Sequence, residues 1–196
     1  MSGEPEGAPG APASGGEALT GAVRLPDAEA TRAYGLELAA VLRAGDLVVL
    51  TGDLGAGKTT LTQGIGAGLH VRGQVASPTF IIAREHPPVP QPDGSVGPAL
   101  VHVDAYRLRS LDEVEALDLD SSLDESVTVV EWGEGWVEPL AEDRLELSLR
   151  RPRGAVDPTA DEPADAGERV LTVRAVGPRW AGVALPRVGV LTGVAG

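Results

Sequence analysis

Gly52-Asp53-Leu54-Gly55-Ala56-Gly57-Lys58-Thr59-Thr60 fits G-x-x-x-x-G-K-[ST], the pattern of a phosphate-binding loop. The glycines let backbone N–H groups turn inward into a concave anion site. A helix starting near Gly57 adds its positive dipole end to the same point. In such a loop Lys58 reaches the β and γ phosphates, and the Thr59 hydroxyl takes a coordination site on Mg2+. Asp53, Leu54, Gly55, Ala56, Gly57, Lys58, Thr59 and Thr60 are therefore the expected nucleotide cradle.

The flanks supply the context that the loop requires. Before it, Asp46-Leu47-Val48-Val49-Leu50-Thr51 is a short apolar run of the kind found in a fully buried parallel strand. After it, Leu61, Ile65 and Leu69 recur at i, i+4 and i+8, which puts them on one helical face. Strand, glycine loop and helix stand in the required order. Lys58 is moreover the single lysine among 16 Lys and Arg residues. Lysine has given way to arginine everywhere else, as expected if a compact ammonium is needed where a guanidinium fork would not fit.

Composition narrows the classes. A chain of 196 residues is most simply one domain of about 130 to 150 residues with unstructured ends. The expected division is a tail over 1–18, a domain over 19–178 with loop insertions at 86–98 and 151–168, and an extension over 179–196. The absence of cysteine excludes disulfides, thiol catalysis and zinc–thiolate sites, and suits a reducing cytoplasm. No basic leader with an apolar core is visible, nor an apolar run of about 18 residues, so the expectation is a cytosolic protein without a membrane segment. The net charge of −13 argues against a broad nucleic-acid footprint, so any RNA involvement should run through a partner. With no asparagine in the chain, the guanine-reading Asn-Lys-x-Asp loop cannot be written. Adenine or loose base selection is the better expectation.

Working outward, 1–18 holds almost nothing large and apolar and should not order. Residues 20–25 read as a first strand, and Pro26-Asp27 opens a helix over 27–44 whose buried face is Tyr34, Leu38, Val41 and Leu42. The helix after the loop carries Gly64, Gly66 and Gly68, each costing roughly 1 kcal/mol relative to alanine, so its stability should come from packing on the sheet. Strands are expected at 81–84, 99–104 and 127–132, a surface loop at 86–98, and a short helix around Leu111, Val114 and Leu117. Arg144 to Arg150 alternates Leu145, Leu147 and Leu149 with polar residues. With 170–176 it makes an antiparallel hairpin, expected at the edge of the sheet. The last stretch, 180–196, is readable as a docked strand or a loose tail. The implied fold class is α/β, three-layered as in phosphate-loop nucleoside triphosphatases, with a mostly parallel central sheet and an antiparallel C-terminal hairpin at its edge.

Two of these strands end in carboxylates, Asp104 and Glu131. Ligands in open α/β sheets bind at the carboxyl ends of strands, so both can face the loop. One of them is then the second protein oxygen that Mg2+ needs beside Thr59. Thr79 offers a hydroxyl in a turn, suited to sensing a γ phosphate. Trp132 and Trp136 sit beside the acidic run, where core packing, the usual role of a single aromatic, stands against a ligand-side or partner-side one. His70, His86 and His102 lack metal-ligand spacing and read as structural or exposed. No arginine stands out as a transition-state finger, although Arg107 and Arg109 follow Asp104 closely, so hydrolysis by the chain alone should be slow.

GDLGAGKTTLTQG at 52–64, SPTF at 77–80, HVDAYRL at 102–108 and VVEWGE at 129–134, in this order, resemble the TsaE family (formerly YjeE). That family is the bacterial ATPase required to make threonylcarbamoyladenosine in tRNA. The resemblance, running from about Thr20 to about Val176, implies that Lys58 binds phosphates and that Thr59 and Glu131 hold Mg2+. It also implies that Thr79 lies in a switch-like segment, that Asp104 is needed for hydrolysis and that Trp132 matters for function. ATP and Mg2+ are the implied ligands. A TsaD and TsaB complex is the implied partner, reset between turnovers by ATP hydrolysis, with tRNA met only indirectly. The alternatives from the residues alone are a small-molecule kinase on the same loop, or a nucleotide-gated binding module without turnover.

Overall fold

The computed structural model describes residues 19–77, 83–107, 123–151, 167–187 and 189–190. β1 (Leu19–Leu25) leads into α1 (Ala28–Ala39), then β2 (Leu47–Thr51) and α2 (Lys58–Gly68). β3 (Ala83–His86), β4 (Ala99–Asp104) and β5 (Ser126–Glu131) follow, then β6 (Arg144–Arg150) and β7 (Arg169–Val176). The seven strands form one sheet in the order β1-β7-β6-β2-β5-β4-β3. This is a mixed α/β fold.

The sheet departs from the expected pattern in two ways. β6, β2, β5 and β4 are mutually parallel, but β3, β7 and β1 all pair antiparallel, so parallel pairing is confined to the centre. The β6–β7 hairpin is also not the edge: β1 covers the free side of β7, and β6 lies beside β2. The alternation in Arg144–Arg150 reports a strand with one buried face, and that says nothing about which neighbours its backbone has.

Side chains alternate between two apolar clusters. Val48, Leu50, Val127, Val129, Leu145 and Leu147 join α1 and α2 on one face, while Leu47, Val49, Val101, Val103 and Val130 point to the other. Both helices therefore cover the same face. Among the described residues the second face is closed by Ala105, Leu123, Trp136, Val137 and Leu140 from turns and loops. The expected helix around 111–117 lies outside the described residues, so the third layer is not seen.

Asp27 starts α1 as its N-cap, its Oδ1 accepting from the Ala30 N–H at 2.7 Å. The helix ends at Ala39 rather than 44, because the next turns close with i−3 bonds from Val41 and Leu42, and Gly45 crosses to Ser126 with φ 92°. The glycines of α2 have a different reason from the one expected. A Cβ on Gly64 would overlap the Arg32 carbonyl, and one on Gly35 would overlap that of Leu61. The compensation for glycine in α2 is thus a backbone-close crossing with α1 as well as contact with the sheet. Gly66 alone faces Val75 and Leu100.

The segment after β3 is less free than a surface loop. Val71 bridges Pro88, and the N–H groups of Arg72 and Val89 bond the carbonyls of Pro87 and His70. The start of the C-terminal stretch is docked as well. Arg179 places Nε and Nη2 on the two oxygens of Asp46 at 3.0 Å each, and Trp180 is buried behind it. Asp46 sits at the entry to β2, so this pair ties the chain after β7 to the base of the central strand. A short hairpin of β8 (Ala184–Leu185) and β9 (Gly189–Val190) follows.

Two stability outcomes are expected in denaturant melts. Gly64→Ala costs about 3 kcal/mol, because the clash is with backbone that cannot rotate away. Arg179→Ala costs about 3 kcal/mol by stranding the Asp46 carboxylate; a loss under about 1 kcal/mol would assign the pair to the exposed class.

Candidate functional site

β2 delivers the glycine loop to the carboxyl end of the sheet. Gly52 leaves the strand at φ 137°, and a Cβ there would overlap the Leu149 carbonyl of β6. Gly57, at φ 108°, is the N-cap of α2 and brings no capping side chain. Among the described residues no N-cap side chain closes the first turn of α2, as suits a backbone anion site.

Lys58 folds back over this loop. Its Nζ donates to the Gly52 carbonyl at 2.8 Å and to that of Asp53 at 3.1 Å. The ammonium also lies 3.9 Å from the ring centroid of Trp132, a cation–π contact. Burial pushes the Lys58 pKa below its ordinary value, opposed in part by Glu131, Asp104 and Asp53.

Opposite the loop stands Glu131, the last residue of β5 and only 3% exposed. The Thr59 hydroxyl donates to its Oε1 at 3.0 Å, with Oε2 at 3.4 Å. The parallel register pairs Leu50 of β2 and Asp104 of β4 with Glu131 from either side. Asp104 accepts from Ser77 Oγ at 3.0 Å and from the Tyr106 N–H at 3.1 Å. Trp132 turns away from the strand with φ 62°, bonding its N–H to the Leu50 carbonyl and setting its ring 5.2 Å from that of Tyr106.

The residues expected from sequence thus stand as follows. Thr59 contacts Glu131 and Lys58 contacts Trp132, while Asp104 is the register neighbour of Glu131. Asp53 lends its carbonyl, while Leu54 is at the exposed tip of the loop. Gly55, at φ 74°, and buried Ala56 complete the turn, and Thr60 is half-buried on α2. Thr79 lies outside the described residues. Trp136 packs in the cluster behind β5 instead of facing the loop.

Three participants were not singled out from sequence. His102 is fully buried, with Nε2 2.9 Å from Glu131 Oε1, although its spacing read as structural. Ser77 fixes Asp104, and Tyr106 buttresses Trp132. The period of two was the available signal: His102 and Asp104 lie two apart on one strand and so share a face.

Thr59 and Glu131 together present hard oxygen donors at hydrogen-bonding distance, the chemistry a small divalent cation prefers. Among the described residues no three His, Cys, Asp or Glu side chains could hold a metal unaided. Water or ligand oxygens would complete any such coordination sphere. Beside the loop a cleft of about 790 Å³ is lined by Thr51, Gly52, Asp53, Trp132, Ser148 and Arg174, among others.

The family profile described as "Threonylcarbamoyl adenosine biosynthesis protein TsaE" matches residues 25–156. The chain belongs to the TsaE family. It is 60% identical over 151 residues to the Streptomyces coelicolor tRNA threonylcarbamoyladenosine biosynthesis protein TsaE, covering 76% of this chain and 93% of that one. The TsaE protein of Bacillus subtilis is 37% identical over 158 residues, covering 80% and 87% respectively. The crystal structure of Bacillus subtilis YdiB superposes with a TM-score of 0.59 at 32% identity, over 83% of this chain and 89% of that one. The chain accordingly belongs with proteins of tRNA threonylcarbamoyladenosine biosynthesis. No helix of the described residues is long and apolar enough to cross a membrane.

Burial of the Lys58 charge sets a stability expectation for this TsaE-family chain. The unfolded chain holds that proton more tightly than the folded one, so protonation opposes folding. The penalty is complete below the lowered folded pKa and vanishes as pH rises to the ordinary value of 10.5. Lys58→Met should therefore raise the melting temperature of the nucleotide-free protein at neutral pH, and the gain should shrink as pH approaches that value. A lowered melting temperature would show that the two carbonyl bonds outweigh desolvation.

Proposed function

We propose that this protein binds MgATP in the glycine loop and hydrolyses it in support of a TsaD–TsaB complex that makes threonylcarbamoyladenosine in tRNA. The observation that carries the reading is the Thr59 hydroxyl on the Glu131 carboxylate at 3.0 Å, beneath an ammonium folded over the loop. Backbone N–H groups of the loop and α2 cradle the phosphates, as in a phosphate-loop nucleoside triphosphatase fold. Lys58 exchanges its bonds to the Gly52 and Asp53 carbonyls for phosphate oxygens, leaving the face of Trp132 as it does so. Thr59 and Glu131 would hold Mg2+, which would supply charge neutralisation for the transferred phosphoryl group.

Asp104 stands next to Glu131 in the register, suited to orienting the attacking water, with Ser77 holding one of its oxygens at 3.0 Å. Thr79, shortly after Ser77, reports the γ phosphate to the same segment. No guanidinium from this chain is assigned to the transition state, so turnover alone is slow and the partner complex accelerates it. The acidic surface meets that complex, and tRNA is met only through it.

Phosphate release with and without the TsaB–TsaD complex tests the whole reading. Release is expected to rise at least tenfold with the complex, whereas phosphorylation of an added small acceptor would indicate a kinase, and no release in either case a binding module. Lys58→Ala should abolish ATP binding in calorimetry; unchanged affinity would remove the loop from the reading.

A further inference from the structure

The buried imidazole of His102 has no place in the mechanism above, although it touches the carboxylate on which metal binding depends. We propose that His102 is a positioning residue that sets the rotation of the Glu131 carboxylate, so that the metal-binding oxygen is presented beside Thr59 before nucleotide arrives. This rests on the assignment of Mg2+ to Thr59 and Glu131.

Three observations carry it. His102 is fully buried, and its Nε2 stands 2.9 Å from Glu131 Oε1. A carboxylate oxygen only accepts, so the ring donates through Nε2–H. His102 Nδ1 has no partner among the described residues; in this tautomer that atom bears only a lone pair, so no N–H is left buried and unmatched. Finally, the two carboxylate oxygens are unequally held: Oε1 receives both His102 and Thr59 at 3.0 Å or less, whereas among the described residues Oε2 has only the 3.4 Å approach of Thr59. Oε2 is the oxygen left available.

The backbone explains why the imidazole can do this. His102 pairs with Val129, two residues before Glu131, across the parallel β4–β5 ladder. Both side chains lie on the α2 face of the sheet, where Leu100, Val127 and Val129 join the helix cluster. The ring therefore reaches forward along the strands to a carboxylate whose own strand is fully buried. A ligating carboxylate held by an outer hydrogen bond typically loses about 10- to 100-fold in metal affinity when that bond is removed.

The test compares His102→Leu, which fills space without donating, with His102→Gln, whose amide nitrogen reaches about as far as Nε2. ATP affinity of each full-length variant is measured by calorimetry in excess Mg2+ and in EDTA, after melting curves establish that both fold; His102→Ala replaces the leucine variant if it does not. The ratio of the two affinities is the readout, since it isolates the coupling of metal to nucleotide. For His102→Leu the ratio should fall about tenfold or more with the EDTA affinity unchanged, and His102→Gln should restore most of it.

A leucine variant with the wild-type ratio overturns the proposal. So does an equal loss with and without Mg2+, which would mark His102 as merely structural, or a glutamine variant that behaves like leucine. A wild-type protein whose ATP affinity ignores Mg2+ fails earlier, overturning the metal assignment at Thr59 and Glu131 and this inference with it.

Discussion

A carboxylate only 3% exposed at the end of the central parallel strands is the constraint around which this molecule is arranged. Burying such a group costs several kcal/mol unless donors surround it. Here Thr59 arrives from α2 and His102 from β4, while the Lys58 ammonium lies near enough for Glu131 to be the largest charge acting on it. Lys58 and Thr59 open α2, whereas His102 comes from β4. Their convergence depends on β2 being held between β5 and β6, so that loop, helix and carboxylate share one end of the sheet.

That arrangement explains features with no direct part in chemistry. Gly52 must be glycine because β6 passes too close for a side chain, and Gly35 and Gly64 must be because α1 crosses α2 at backbone contact. α2 is thereby fixed from above by α1 and from below by the sheet, which locks the position of Thr59 at its first turn. The Asp46–Arg179 pair anchors the other end of β2 to the chain after β7. A helix carrying three glycines gains its rigidity from neighbours, consistent with the general weakness of isolated helices of this length.

Trp132 joins fold and site. Its left-handed backbone, φ 62°, is unusual for a bulky side chain and is held by the Leu50 carbonyl, which extends the β2–β5 ladder by one bond. The turn aims the indole over Lys58 and against Tyr106. In this conformation the aromatic face and two carbonyls occupy the ammonium. The placement of Trp132 and the position of the Lys58 ammonium are thus physically linked.

Periodicity and motif spacing read most of this correctly at the level of single elements. The strand, loop and helix around Lys58, the carboxylate-ended strands at Asp104 and Glu131, and the Leu145–Leu147–Leu149 alternation are local properties of a few consecutive residues. The neighbours of those elements were not legible. The hairpin was expected at an edge that β1 in fact covers, α1 was expected to run past Ala39, and the contact of His102 with Glu131 was not foreseen. The amino-acid order by itself determined the strand, glycine loop and helix around Lys58, and which family the chain resembles, because backbone curvature and side-chain type are encoded within a few residues. Only the tertiary structure decided that His102, Thr59 and Lys58 meet around Glu131, because hydrogen bonds between residues 29 and 72 positions apart depend on strand order, which no local pattern specifies.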